Sequence, residues 1–258
     1  MKLDGNTILI TGGTSGIGLE LAKELLKRNN TVIITGRDTE RLERAKRQLP
    51  QLHTVQSDVS RIEDIDSLFA RVTKEFPALN ILVNNAGVMR MINLHSEEQG
   101  LEDLTREIDI NFKGSVWMVK RFLPQLKKTP SAAIVNVSSG LAFVPLPSAP
   151  IYCATKAAMN SFSRSLRVQL KKTNVKVFEL APPATETELF DLKSPELEGV
   201  TLMKVDELVR QFLKGFEKDQ LEIRPGQANS LKFMNRVAPE FILAQLSKPV
   251  DRMLGRSS

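Results

Sequence analysis

The chain has 258 residues, 41% of them hydrophobic and 26% charged, with a formal net charge of +6. That balance belongs to a globular chain long enough to bury a sizeable α/β core, and it excludes a disordered or collagen-like polymer. The basic residues are scattered rather than gathered into a stripe with interleaved aromatics, so no nucleic-acid partner is expected.

The opening stretch MKLDGNTILITGG reaches a strand at once. No basic region with a long apolar core precedes it, so no signal peptide and a cytoplasmic protein are expected. The β-rich run Thr7–Thr11 predicts a buried strand. GGTSGIG follows at 12–18, then LELAKELLKRNN, with Ile17, Leu21, Leu25 and Leu26 at helical spacing and Asn29-Asn30 as the stop. Strand, glycine turn and helix in that order let backbone N–H groups approach a pyrophosphate at a helix N-terminus. Gly12, Thr14, Ser15, Gly16, Ile17 and Gly18 are therefore candidate cofactor contacts. The spacing is Gly-x-x-x-Gly-x-Gly rather than Gly-x-Gly-x-x-Gly, so a glycine-rich turn with no ligand stands as the alternative.

The second strand, 31–35, ends in Gly36-Arg37-Asp38. An acidic residue at this distance from the glycine turn would take ribose hydroxyls. A guanidinium here instead suits a 2′-phosphate, through two hydrogen bonds and stacking. Asp38 keeps NAD open, and a solvated Arg37 opening the next helix is the plain alternative. A third strand is expected over 53–59, where Asp58 either accepts from an adenine amino group or caps the next helix with Ser60. That helix carries Ile62, Ile65, Leu68, Phe69, Val72 and Phe76. The fourth strand runs from Asn80 into Asn84-Asn85-Ala86-Gly87, whose small residues permit close approach of a ligand.

A long helix is expected over 101–126, with Leu104, Ile108, Phe112, Val116, Val119, Phe122, Leu123 and Leu126 as its apolar stripe and a kink at Pro124. Asn111 is a poor residue for a helix interior, so it is either solvated or serves a site. Residues 129–155 carry no charge but include Pro130, Pro145, Pro147 and Pro150, which rules out a membrane-crossing helix there. Strand five, 133–137, leads into Ser138 and Ser139. Tyr152, the only tyrosine, opens a helix that puts Lys156 on the same face one turn on. An ammonium beside a phenol favours phenolate, and such a tyrosine can exchange a proton with a substrate oxygen. By itself the pair is equally a tyrosine packed on a lysine stem. Strand six, Val175–Leu180, is followed by APPATET.

Strands alternating with helices predict one doubly wound parallel sheet of the Rossmann type, with helices on both faces. Strand C-termini then share one edge, and every candidate above falls on it. Residues 1–258 read as a single domain, with a substrate loop at about 186–203 and a C-terminal extension at about 227–258. One cysteine, Cys153, leaves no intrachain disulfide and points to a reducing compartment. His53 and His95 are too far apart for metal-ligand spacing, so no metal site is expected, and the same scarcity weakens a serine hydrolase reading.

Together the residues from about 6 to 187 resemble the short-chain dehydrogenase/reductase family. TGGTSGIG at 11–18 matches its TGxxxGxG turn, NNAG at 84–87 its strand end, Tyr152 and Lys156 its YxxxK, and Asn111 its catalytic asparagine. Thirteen residues separate Ser139 from Tyr152, the family's usual interval, which selects Ser139 over Ser138. The resemblance implies Tyr152 as general acid/base, Lys156 lowering its pKa and binding the nicotinamide ribose, Ser139 holding the substrate carbonyl, and Asn111 positioning a proton-relay water. It adds Val59, Asn85, Ala86, Gly87, Pro182 and Thr185 to the cofactor contacts, and Gly36-Arg37 looks like the arrangement that favours NADP(H) over NAD(H). Pro182-Pro183 departs from the family's Pro-Gly, which puts contacts beside the nicotinamide in question. The APPATET segment with SGLAF at 139–143 looks like the DltE-type bacterial oxidoreductases. The implied activity is hydride transfer between NADP(H) and a small carbonyl or alcohol. The 141–150 loop and the 186–203 stretch should bound the substrate, and their Phe143, Val144, Leu146, Leu189, Phe190 and Leu192 either line an apolar pocket or pack against each other as core. A non-catalytic NADP-binding sensor or partner platform on the same fold is the rival. Relatives use the two long helices in a shared interface, which implies a homodimer or homotetramer.

Overall fold

All five residues of β1 (Thr7–Thr11) are buried, and period-two alternation sends Ile8 and Ile10 to one face and Leu9 to the other. The structure is a computed structural model that describes residues 1–96, 100–189 and 201–254. β1 pairs in parallel with β2 (Thr31–Gly36) on one side and β4 (Leu79–Asn84) on the other, which sets Leu9 opposite Ile33 and Leu82. β3 (His53–Gln56), β5 (Ala132–Val137), β6 (Val175–Leu180) and a two-residue β7 (Glu222–Ile223) complete a seven-stranded sheet, all parallel, in the order β3-β2-β1-β4-β5-β6-β7.

On one face lie α1 (Gly16–Leu26), α2 (Thr39–Gln48) and α7 (Val205–Glu217), packed through Leu21, Leu25, Leu42, Phe212 and Phe216. On the other lie α3 (Ile62–Glu75), α5 (Gly114–Leu126) and α6 (Pro150–Gln169), packed through Leu68, Val72, Phe122 and Leu166. Each fully buried aliphatic side chain contributes about 1.5–3 kcal/mol, so the two-sided burial is what holds the sheet between its helices. The strand order reverses direction between β1 and β4, which opens a crevice at their C-terminal ends. The chain closes with α8 (Gln227–Val237) and α9 (Pro239–Leu254).

The doubly wound sheet is as expected, with four local differences. β7 is too short to show a period in sequence. The third strand stops at Gln56 rather than Val59, because Asp58 Oδ1 accepts from both Ser60 N and Ser60 Oγ and turns the chain. Ile62, the first residue of α3, is 51% exposed instead of joining the buried stripe. The helix over 101–126 is not one uniform helix: α4 (Leu101–Ile108) passes into a π-helical turn, Asp109–Lys113, before α5.

That π turn shifts the helical phase. Ile108 is left exposed and Phe112 half-buried, while Glu107, Ile110, Asn111, Gly114 and Ser115 turn inward. The stripe read from sequence holds only after the turn, at Val119, Phe122 and Leu126. Across the two long helical stretches, 101–126 and 152–171, the exposed large apolar side chains are Leu101, Ile108 and Val168. No helix among the described residues is long and apolar enough to cross a membrane.

Candidate active site

The β1–α1 turn is built by glycines that have no alternative. Gly12 has φ +62°, and a Cβ there would lie 2.7 Å from Ala86 Cα. Gly16 has φ +52°, in the left-handed region that favours glycine. A Cβ on Gly18 would lie 2.6 Å from both Asn85 Nδ2 and Gly12 O. Asn85 ties the end of β4 to this turn by donating Nδ2 to Thr11 O at 3.0 Å and Gly12 O at 2.9 Å. Thr11 Oγ1 accepts from the backbone of Asn85 and Ala86, both at 3.1 Å. Ser15 precedes α1 without a side-chain cap, and the first turn holds no acidic residue. The helix N-terminus is thus left facing the crevice with unpaired partial positive charge.

At the tip of β2, Asp38 is occupied as the N-cap of α2, accepting from Arg41 N at 3.1 Å. Arg37 is exposed on the crevice wall and makes no ion pair among the described residues. Arg41, which the sequence reading missed, lies on the same wall and pairs with Glu188. The signal for it was present: it sits one helical turn after Arg37 on an element that starts at the crevice.

The reactive set lies at the other end. Pro150 occupies the first turn of α6, where its missing N–H costs nothing. Tyr152 and Lys156 are each 4% exposed. Lys156 Nζ donates to Val137 O at 2.9 Å and lies 5.6 Å from the centre of the Tyr152 ring. Ser139 Oγ accepts from Leu141 N at 3.1 Å, closing a short 3-10 turn, Gly140–Ala142. Ser138 is committed elsewhere, donating to the buried Glu179 at 2.5 Å, while Asn160 Nδ2 donates to both Glu179 oxygens. That pairing leaves Ser139 as the serine beside Tyr152.

Burial pushes the Tyr152 phenol above its ordinary value, and a hydrogen bond with Ser139 pulls it back in part. Burial lowers the Lys156 amine to about 8. The expectation that Lys156 lowers the phenol is therefore not met in this structure. Lys156 is itself weakened as a cation by burial, and its hydrogen bond goes to Val137 rather than to the phenol.

One cavity of about 910 Å³ joins the two ends. Gly12, Thr14, Ser15, Gly16, Ile17, Arg37, Asp58, Val59, Asn85, Ala86, Gly87, Ser139, Tyr152, Lys156, Pro182 and Thr185 all line it. Gly18 and Asn111 do not; both act from behind the wall. Asn111 exchanges two hydrogen bonds with the backbone of Val88, each 2.8 Å. Pro182 offers no free carbonyl, since Gly140 N donates to it at 2.7 Å. Thr185 Oγ1 donates to Pro183 O at 2.8 Å.

Of the expected apolar pocket, Leu146 and Leu189 line the cavity. Val144 is core, and Phe143 packs instead under Arg224 and Lys232, at 5.8 and 5.2 Å from its ring centre. Phe190 and Leu192 lie outside the described residues. Leu141, from the 141–150 loop, and Leu246, from the apolar C-terminal stretch 238–254, also line the cavity, and sequence reasoning missed Met89 and Leu231, the latter brought in by α8. Among the described residues, no three His, Cys, Asp or Glu side chains gather to hold a metal ion. The cradle fits an extended anion: an open helix N-terminus, glycines with no room for a Cβ, and, at the far edge, Arg37 with no ion pair among the described residues.

Residues 6–198 match a family model described as short chain dehydrogenase. The chain is 45% identical over 252 residues to the uncharacterized oxidoreductase DltE of Bacillus subtilis, covering 96% of this chain and 98% of that protein. A short-chain dehydrogenase from Burkholderia cenocepacia, solved in complex with NADP, superposes with a TM-score of 0.81 at 28% identity, over 95% of this chain and 99% of that one. A 3-ketoacyl-(acyl-carrier-protein) reductase from Brucella melitensis, complexed with NADH, gives 0.77 at 28% identity, over 88% and 100%.

Proposed function

This chain belongs to the short-chain dehydrogenase/reductase family of oxidoreductases, and from that premise we propose that it moves a hydride between NADP(H) and the carbonyl or alcohol carbon of a small, fairly apolar substrate. The observation that carries the proposal is the meeting of Ser139, Tyr152 and Lys156 with the glycine turn and Arg37 on one cavity. The cofactor, when bound, would donate the hydride as NADPH or accept it as NADP+. Gly12, Thr14, Ser15, Gly16 and Ile17 would hold its pyrophosphate, Arg37 its 2′-phosphate, and Asp58 and Val59 its adenine side. Asn85, Ala86, Gly87, Lys156, Pro182 and Thr185 would flank the nicotinamide half. Asp38, already used as a cap, is a weaker partner for ribose hydroxyls, which favours NADP(H) over NAD(H).

In this reading the Ser139 hydroxyl orients the substrate oxygen, and Tyr152 Oη gives that oxygen a proton on reduction or takes one on oxidation. Lys156, with an amine near 8, can hand a proton on at working pH. Met89, Leu141, Leu146 and Leu189 bound the substrate with apolar surface and limit water. The same proposal takes residues 1–258 as one domain in a cytoplasmic homodimer or homotetramer, with neither nucleic acid nor a spanned membrane as partner. A panel of aldehydes and ketones, followed by loss of NADPH absorbance, tests it. Turnover of at least one apolar carbonyl that fails in Tyr152→Phe is the expected result. NADPH binding with no turnover across the panel would turn the reading toward a sensor.

A further inference from the structure

Two guanidiniums stand on the cavity wall at the β2–α2 end, and a carboxylate already holds one of them. Arg41 lies on α2, four residues past Arg37, and both line the cavity beside Thr14 and Gly36. Arg41 Nη2 donates to Glu188, a residue on the segment that follows β6. That segment is anchored at its base: Glu186 N donates to Met203 O at 3.0 Å, and Met203 N donates to Ala184 O at 2.9 Å. It then passes over the glycine turn, where a Cβ on Gly16 would lie 3.3 Å from Thr187 Cβ. Thr187 and Glu188 both line the cavity. Residues 184–189 thus carry a negative charge from the β6 side of the cavity to the cations on the α2 side.

The pair is open to exchange. Its side chains are 42% exposed at Arg41 and 62% exposed at Glu188, and ion pairs in such positions are weakly held. A phosphate monoester carries a charge of roughly −1.5 to −2 and three strong acceptor oxygens. Arginine grips it through two parallel hydrogen bonds. A phosphate seated at Arg37 therefore draws Arg41 away from Glu188. A ribose hydroxyl is neutral and has no charge with which to compete for that guanidinium.

We infer that Glu188 is a specificity-determining residue for the cofactor: it occupies Arg41 until a 2′-phosphate displaces it, which lowers the affinity for NADPH and not that for NADH. The inference rests on the proposed seating of the 2′-phosphate at Arg37. Fluorescence titration of NADPH and NADH against the wild type, Glu188→Gln, Arg41→Gln and the double variant tests it. Glu188→Gln should bind NADPH roughly two- to fivefold more tightly, the size of the exposed ion pair no longer given up, with NADH unchanged. Glu188→Ala removes the same charge without an amide and should give the same gain. In the Arg41→Gln background the Glu188→Gln exchange should gain nothing, because the guanidinium it frees is absent. Wild-type NADPH affinity in both single Glu188 variants overturns the inference. Equal tightening of NADH, or a gain that persists without Arg41, also overturns it, since Glu188 would then only repel the pyrophosphate that both cofactors share. The reading beneath it fails differently. Wild-type NADPH affinity in Arg37→Ala would overturn the seating at Arg37, while a gain confined to NADPH in Glu188→Gln would still tie the phosphate to Arg41.

Discussion

Replacing Gly18 by alanine should do damage out of proportion to one methyl group. The added Cβ would lie 2.6 Å from Asn85 Nδ2 and 2.6 Å from Gly12 O, and 3.0 Å from Gly13 Cα. Two of these contacts are backbone, so the glycine turn itself must move. Asn85 would swing away and give up its hydrogen bonds to Thr11 O and Gly12 O. Overpacking costs about 1–3 kcal/mol and two lost hydrogen bonds about 0.5–1.5 kcal/mol each. Alanine regains about 1 kcal/mol of helix propensity. The net loss is then about 1–5 kcal/mol, at about 2–4 °C in Tm per kcal/mol for a chain of this size. Gly100→Ala is the control, because among the described residues nothing stands within 4 Å of its Cβ position; it should stay within about 1 kcal/mol of wild type. Thermal unfolding by circular dichroism and NADPH titration of both variants decide the matter. A Gly18→Ala protein that melts and binds like Gly100→Ala would refute the steric argument.

Tyr152→Phe should lose about 10²–10⁴-fold in turnover while NADPH affinity stays nearly intact, as read by fluorescence titration. Arg37→Ala should weaken NADPH by roughly ten- to a hundredfold, from a charge-assisted hydrogen bond of about 1.5–3 kcal/mol, and leave NADH unchanged; equal wild-type affinities for the two would mean that Arg37 is solvated. The Lys156 amine falls from 10.5 to about 8 on folding, so between those values the unfolded chain holds the proton that the folded chain has released. Stability should therefore rise with pH across that window, by about 3 kcal/mol in all. Lys156→Met should flatten the rise in urea midpoints, and identical slopes in the two proteins would count against it.

The layout of the cavity was legible because its parts lie at strand ends, where local pattern and topology agree. The run into Gly12, the Asn84–Gly87 turn and the Tyr152–Lys156 pair each carry a short-range signal, and a parallel sheet brings all three to one edge. What was not legible depended on distant partners. The interval to Tyr152 selected Ser139 over Ser138, but what occupies Ser138, Glu179 on β6, shows only in the fold. Phe143 looks like a pocket residue until Arg224 and Lys232 come to cover it. The phase of 101–126 was misread because a regular 3.6-residue period contains no sign of a π turn. The Tyr152 phenol was misjudged because its enclosure, like that of Lys156, exists only once the chain is folded.

The paired contacts between Asn111 and Val88 make a side chain stand in for a strand. Its amide presents the donor and acceptor that a neighbouring peptide unit would offer, and Val88 answers with its own N–H and carbonyl. The segment beyond β4 is thereby held at Val88, and it carries Met89 into the cavity wall. Aspartate lacks the donor and leucine lacks both groups, so either exchange would unzip that rung. Loss of activity in an Asn111 variant thus mixes scaffold with chemistry, and the two separate only when the order of residues 85–92 is measured alongside the rate.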